Sequence, residues 1–210
     1  MIEEIHQTAT QNLPETYQSI EVIDIAKQTG LVIGMNVVGL LLFFGSYWIF
    51  FQLISLIRSV DVIPIFEVAG LSQILIILLG GILFIVALVI LHEAVHGLFF
   101  RLFTGSKPKF AFKLSYAYAA APDWYIRRNA YLVIGAAPVV LITIVGLICC
   151  CFVPQSWLAA LILFISLNFS SSVGDLYVLL RLFSLSQDIY IRDEGDKMTF
   201  YKMVFEDIPL

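Results

Sequence analysis

Residues 71–90 form a run of twenty without a single charge, and His92, Glu93 and His96 follow at once. An α-helix needs ~20 predominantly apolar residues to cross the hydrocarbon core of a bilayer. Three further stretches meet that length, at 31–57, 130–152 and 157–183, while the run itself extends over 71–103. The last is longer than a crossing requires, so this helix must tilt, bend near Gly80 and Gly81, or protrude into water. Composition agrees. Of the 210 residues 60% are hydrophobic and 13% charged, whereas soluble domains run at roughly 45–50% and about 25%. The expected fold is an all-α integral membrane protein of about four transmembrane helices with small cytoplasmic β elements.

Basic residues set the expected orientation. Lys27 precedes the first span, and Arg101, Lys107, Lys109, Lys113, Arg127 and Arg128 surround the connection between the second and third. Arg181, Arg192, Lys197 and Lys202 follow the fourth, leaving only Arg58 on the other side. Positively charged loops stay cytoplasmic, so both termini and the loop 104–129 are expected there. No basic tail or lysine cluster suggests nucleic acid. The implied partners are the lipid bilayer and a protein or peptide within it.

The chain divides by composition into a cytoplasmic N-terminal segment (1–30), a four-span membrane domain (31–184) and a cytoplasmic C-terminal hairpin and tail (185–210). The first thirty residues are polar and acidic, without the basic and apolar regions of a secretory signal, so the N-terminus is expected to be retained. Between the second and third spans, Phe110, Phe112, Leu114, Tyr116 and Tyr118 occupy alternate positions, predicting one strand over 109–119 with an apolar face. Alternation on both sides of Glu194-Gly195-Asp196 predicts a β-hairpin over 188–204. Cys149, Cys150 and Cys151 are neighbours, which excludes an ordinary disulfide and leaves them as small packing residues.

On a helix His92 and His96 stand one turn apart on one face and can share a metal ion. Glu93 flanks that face, in reach of a water at the metal without occupying it. This HExxH spacing is the arrangement in which two imidazoles hold zinc and a carboxylate moves the proton. Ionisable groups inside a span cost roughly 2.5 kcal/mol or more and tend to be functional. A catalytic zinc needs a third protein ligand. His6 is remote, and the downstream acids are Asp123, Asp175, Asp188, Asp193, Glu194, Asp196, Glu206 and Asp207, of which only Asp175 lies within a span. The histidine pair is roughly 10 Å along its helix from Arg101, and Asp175 roughly 9 Å from Arg181. If both arginines snorkel to one interface, ligands from two helices meet at one depth. Asn168, Ser170, Ser171, Ser172 and Gly174 give the fourth span a small, polar face. It serves either close helix packing or, through Asn168, contact with a substrate carbonyl. Gly97 similarly admits the close approach of another helix or of a substrate backbone.

The order of these residues carries a resemblance: HExxHG in one span, RNAYLVIGAAP over 128–138 opening the next, then Asn168 and Gly174-Asp175. Over roughly residues 70–205 the chain resembles the bacterial zincin peptidase family once classed as a domain of unknown function. More distantly it is similar to site-2 proteases, the intramembrane zinc metalloproteases. The resemblance implies one zinc ion on His92, His96 and Asp175, Glu93 as catalytic base, and Asn168 in substrate handling. The function expected is a zinc-dependent intramembrane endopeptidase in a bacterial cell membrane, cleaving transmembrane or membrane-associated proteins near the cytoplasmic side. The chain departs from site-2 proteases in having Gly-Asp for their Asp-Gly, no proline between Asn168 and Asp175, and no PDZ-like insert. Three alternatives stay open: a membrane zinc scaffold that cuts nothing, an ion or proton transporter using the same three ligands, and a membrane zinc protease whose site lies outside the bilayer.

Overall fold

The computed structural model describes residues 8–59, 71–113 and 116–204. His6, Leu114, Glu206 and Asp207 lie outside the described residues. In chain order the elements are β1 (Ala9–Thr10), β2 (Tyr17–Asp24), a short 3-10 turn (Ile25–Lys27), α1 (Thr29–Arg58) and α2 (Leu71–Thr104). There follow β3 (Lys109–Phe112), β4 (Ala117–Ala120), β5 (Tyr125–Arg127), α3 (Arg128–Cys150), α4 (Gln155–Ser171), α5 (Val173–Phe183), β6 (Ile189–Asp193) and β7 (Lys197–Met203). Among the described residues, three helices are long and apolar enough to cross a membrane, or there are four spans if α4 and α5, a bent pair, count as one. Helix α2 continues without a break through Gly80 and Gly81. Its 34 residues span roughly 51 Å at about 1.5 Å per residue, well beyond the ~30 Å of a hydrocarbon core.

The chain forms two compact units. The first comprises residues 1–34, 93–137 and 175–210. Its sheet has the strand order β1-β5-β6-β7-β2, with neighbours antiparallel. The hairpin predicted over 188–204 is β6 and β7, and the polar N-terminal segment supplies β1 and β2 to the same sheet. Alternation builds one face: Ile189, Ile191 and Asp193 of β6 point inward with Ile126 and Phe200. These residues pack with Phe100, Tyr131, Ile134, Val178 and Leu182 from the helical segments of the unit. Each such large apolar side chain, fully buried, contributes about 1.5–3 kcal/mol. Gly195 closes the hairpin at φ +97°, and a Cβ there would stand 2.3 Å from the Tyr118 ring.

The strand expected over 109–119 is instead two strands. β3 and β4 pair antiparallel, with Lys113 N–H donating to the Tyr116 carbonyl where the chain reverses. Register sets Phe110 opposite Ala119 and Phe112 opposite Ala117, while Tyr118 faces Ala111. Tyr118 therefore lies on the other face from the two phenylalanines. A period of two reports which residues share a face only while the strand runs on, and a turn resets it.

The second unit comprises residues 35–92 and 138–174. Phe50 and Ile54 of α1 pack with Cys150, Leu158, Ala159, Ile162 and Ile165. Cys150 is thus a core residue, as the packing reading expects, whereas Cys149 and Cys151 are exposed. Small residues allow close contact: the Ser170 hydroxyl donates to the Gly39 carbonyl at 2.7 Å, and a Cβ on Gly146 would meet Ile165 at 2.1 Å. Arg58 donates to the Cys150 and Val153 carbonyls, satisfying acceptors at the C-terminal end of α3.

Candidate metal centre

His92 and His96 are buried on α2, at 7% exposure each. His92 closes the second unit and Glu93 opens the first, yet α2 carries on unbroken between them. The helix itself therefore fixes one imidazole against the other. Within the first unit His96 Nε2 lies 3.3 Å from Asp175 Oδ1 on the first turn of α5. One ligand atom from each of His92, His96 and Asp175 falls within 4.8 Å of the other two. The depth argument expected this meeting of α2 with the fourth span.

Each imidazole is held by its other nitrogen. His96 Nδ1 is 3.1 Å from the Ile134 carbonyl oxygen. A carbonyl only accepts, so Nδ1 carries a proton and Nε2 is the nitrogen turned toward the ligand cluster. His92 Nδ1 is 3.1 Å from Asn168 Oδ1. The Asn168 amide nitrogen donates to the Pro138 carbonyl, which turns Oδ1 toward His92 as an acceptor. Both histidines thus present Nε2, as zinc-ligating imidazoles do. Two neutral imidazoles and a carboxylate suit Zn2+ and leave a tetrahedral ion one open position. The donor set fits the metal.

Glu93 also bonds to the neighbouring hairpin. Its Oε2 accepts the Ala119 N–H of β4 at 2.7 Å. In an antiparallel pair, residues opposite one another alternate between exchanging hydrogen bonds and pointing both groups outward. Ala119 is of the second kind, so Glu93 lies against the outward edge of β4. Gly97 admits the β3 side of this hairpin, since a Cβ there would meet the Phe110 ring at 2.4 Å.

The serines after Asn168 interrupt the helix. The Ser171 hydroxyl, the Ser172 hydroxyl and the Ser172 N–H all donate to the Asn168 carbonyl. Hydroxyls bonding back into the helix ladder bend or interrupt it. The helix ends at Ser171 and α5 restarts at Val173, two residues before Asp175.

The segment RNAYLVIGAAP gains a physical reading that its letters alone did not supply. Arg128 is buried, and its Nε donates to the Leu182 carbonyl at 2.7 Å, capping the end of α5. Gly135 lets Leu179, one turn after Asp175, come within 3.0 Å of where a Cβ would stand. Tyr131 donates its hydroxyl to Asp193. Sequence reasoning missed Arg128, Tyr131, Ile134 and Pro138 as supports because their partners are distant in the chain.

Asp193, one of the acids considered as a ligand, is instead the buried partner of Tyr131 at 3% exposure. Burial pushes its carboxyl up to about 6 from 3.8, opposed by hydrogen bonds from Tyr131 and from Gly195 N–H. A carboxyl raised on folding contributes stability that is fully present below about pH 4 and lost as pH rises through about 6. Tyr131→Phe should therefore cost more where Asp193 is charged. The expected loss is about 1.5–3 kcal/mol near pH 8 and about 0.5–1.5 kcal/mol near pH 5. Thermal unfolding in detergent at both pH values measures it, and equal losses would contradict the assignment.

No curated protein and no solved structure matches the chain. The family described as "Putative zincin peptidase" matches residues 85–190, which take in HExxH, the 128–138 segment, Asn168 and Asp175. The chain belongs to that family of zinc metallopeptidases.

Proposed function

We propose that the protein is a zinc-dependent endopeptidase that cleaves transmembrane or membrane-associated proteins within the bilayer, near its cytoplasmic side. The observation that carries this reading is the convergence of three ligand atoms, from His92, His96 and Asp175, beside Glu93 on an otherwise apolar helix. His92, His96 and Asp175 would hold the ion; zinc, when bound, polarises a scissile carbonyl and acidifies a water. Glu93 takes a proton from the attacking water and returns it to the leaving amine nitrogen. Asn168, bonded to both His92 and Pro138, keeps the His92 ring in its ligating orientation. The positions of the basic residues favour cytoplasmic termini.

The substrate is an extended peptide. A transmembrane helix must unwind before its carbonyls become accessible. The outward edge of β4 then offers it main-chain hydrogen bonds without strict sequence preference. The Ala119 N–H belongs to that edge and already touches Glu93, so a strand paired there would run past the general base.

A second reading draws on the same contact. Glu93 as a structural acceptor for β4 would suit a membrane zinc protein that binds partners without cutting them. Proteoliposomes separate activity from binding. A single-span substrate should be cleaved by the wild type, cleavage should stop on chelation, and zinc should restore it. Cleavage that persists after complete zinc removal would sink the metallopeptidase reading.

A further inference from the structure

We propose that Pro138 is a positioning residue of the metal centre, holding the Ile134 carbonyl open for His96. The inference rests on the reading of His92, His96 and Asp175 as zinc ligands. In an uninterrupted α-helix the N–H of residue 138 would bond to the carbonyl of residue 134. Proline has no N–H, so that bond cannot form. Pro138 is well inside α3, which runs from Arg128 to Cys150, and not in its first turn, where a missing N–H would have no consequence. Ile134 is 1% exposed, so water does not readily supply the missing donor.

The donor is His96 Nδ1, 3.1 Å from the Ile134 oxygen. Because that oxygen can only accept, the bond keeps a proton on Nδ1 and leaves Nε2 as the nitrogen for a metal. Nε2 faces Asp175 at 3.3 Å. The same proline serves the other histidine through its own carbonyl, which accepts the Asn168 amide at 3.3 Å and so aims Oδ1 at His92. Both ligand orientations thus trace to one turn of α3.

Pro138→Ala gives the helix its N–H back and sets it in competition with His96 for the Ile134 oxygen. Alanine is the better helix former, so the variant should fold with undiminished helical signal and thermal midpoint. Zinc affinity, read by chelator competition in detergent, should fall about 10–100-fold, the usual cost of losing a group that orients a metal-ligating histidine. A proline that only shaped the helix would leave zinc affinity unmoved. Equal affinities in folded wild type and variant would overturn the proposal. Should the variant fail to fold, imidazole 15N spectra of the zinc-loaded wild type supply the test: His96 should ligate through Nε2 and keep its proton on Nδ1, and ligation through Nδ1 would overturn the proposal. Failure of the underlying metal-site reading is distinguishable, because the wild type itself would then bind no zinc.

Discussion

Glu93→Gln is expected to keep its zinc and to lose cleavage of a single-span substrate by roughly 10²–10⁴-fold, the usual contribution of a general acid–base group. The substitution is nearly isosteric. A glutamine oxygen can still accept the Ala119 N–H that Glu93 accepts at 2.7 Å, so β4 should stay in place. What glutamine cannot do is take a proton from water and deliver it to a leaving nitrogen. The measurement pairs metal analysis with a cleavage assay in proteoliposomes. Wild-type activity in a zinc-loaded Glu93→Gln protein would remove the peptidase mechanism and leave the non-catalytic zinc protein as the better reading.

Asp175→Ala and His92→Ala should each lower bound zinc from about one ion per chain to near none, since a catalytic zinc is held by three protein ligands. The two variants test different elements. His92 sits on α2 and is oriented by Asn168, whereas Asp175 sits on α5 and meets His96 at 3.3 Å. The fold should survive the loss of Asp175. Helix α5 is held by Val178 and Leu182 in the core of the first unit and by the Arg128 cap on the Leu182 carbonyl. Metal analysis after purification decides the matter. Full zinc content in Asp175→Ala would remove the aspartate from the site, and full content in His92→Ala would dismiss the HExxH pair.

The apolar segments were plain in the sequence because their composition repeats the same message over twenty or more residues. Helices α1, α2 and α3 match the expected stretches to within a few residues. The hairpin of β6 and β7 was legible from alternation about a glycine. The 109–119 strand was not, because Lys113 and Tyr116 close a turn while the apolar period runs on in phase. The break between α4 and α5 was hidden for another reason. Without a proline to announce it, it depends on serine hydroxyls turning back to the Asn168 carbonyl.

His92, Glu93 and His96 declared themselves by spacing, since a helix converts four residues into one turn whatever surrounds it. Asp175 was named by elimination and depth. Its 3.3 Å approach to His96 is a tertiary fact, set by how α5 is capped by Arg128 and packed beside Gly135. The sequence by itself determined the kind of chain and the chemistry available to it: long apolar helices and a pair of imidazoles with a carboxylate between them. Only the tertiary structure decided which nitrogen each imidazole presents. That choice lies with backbone and amide oxygens 38 and 76 residues away along the chain. Local spacing is fixed by helix geometry, whereas hydrogen-bond partners from distant segments exist only once the chain has folded.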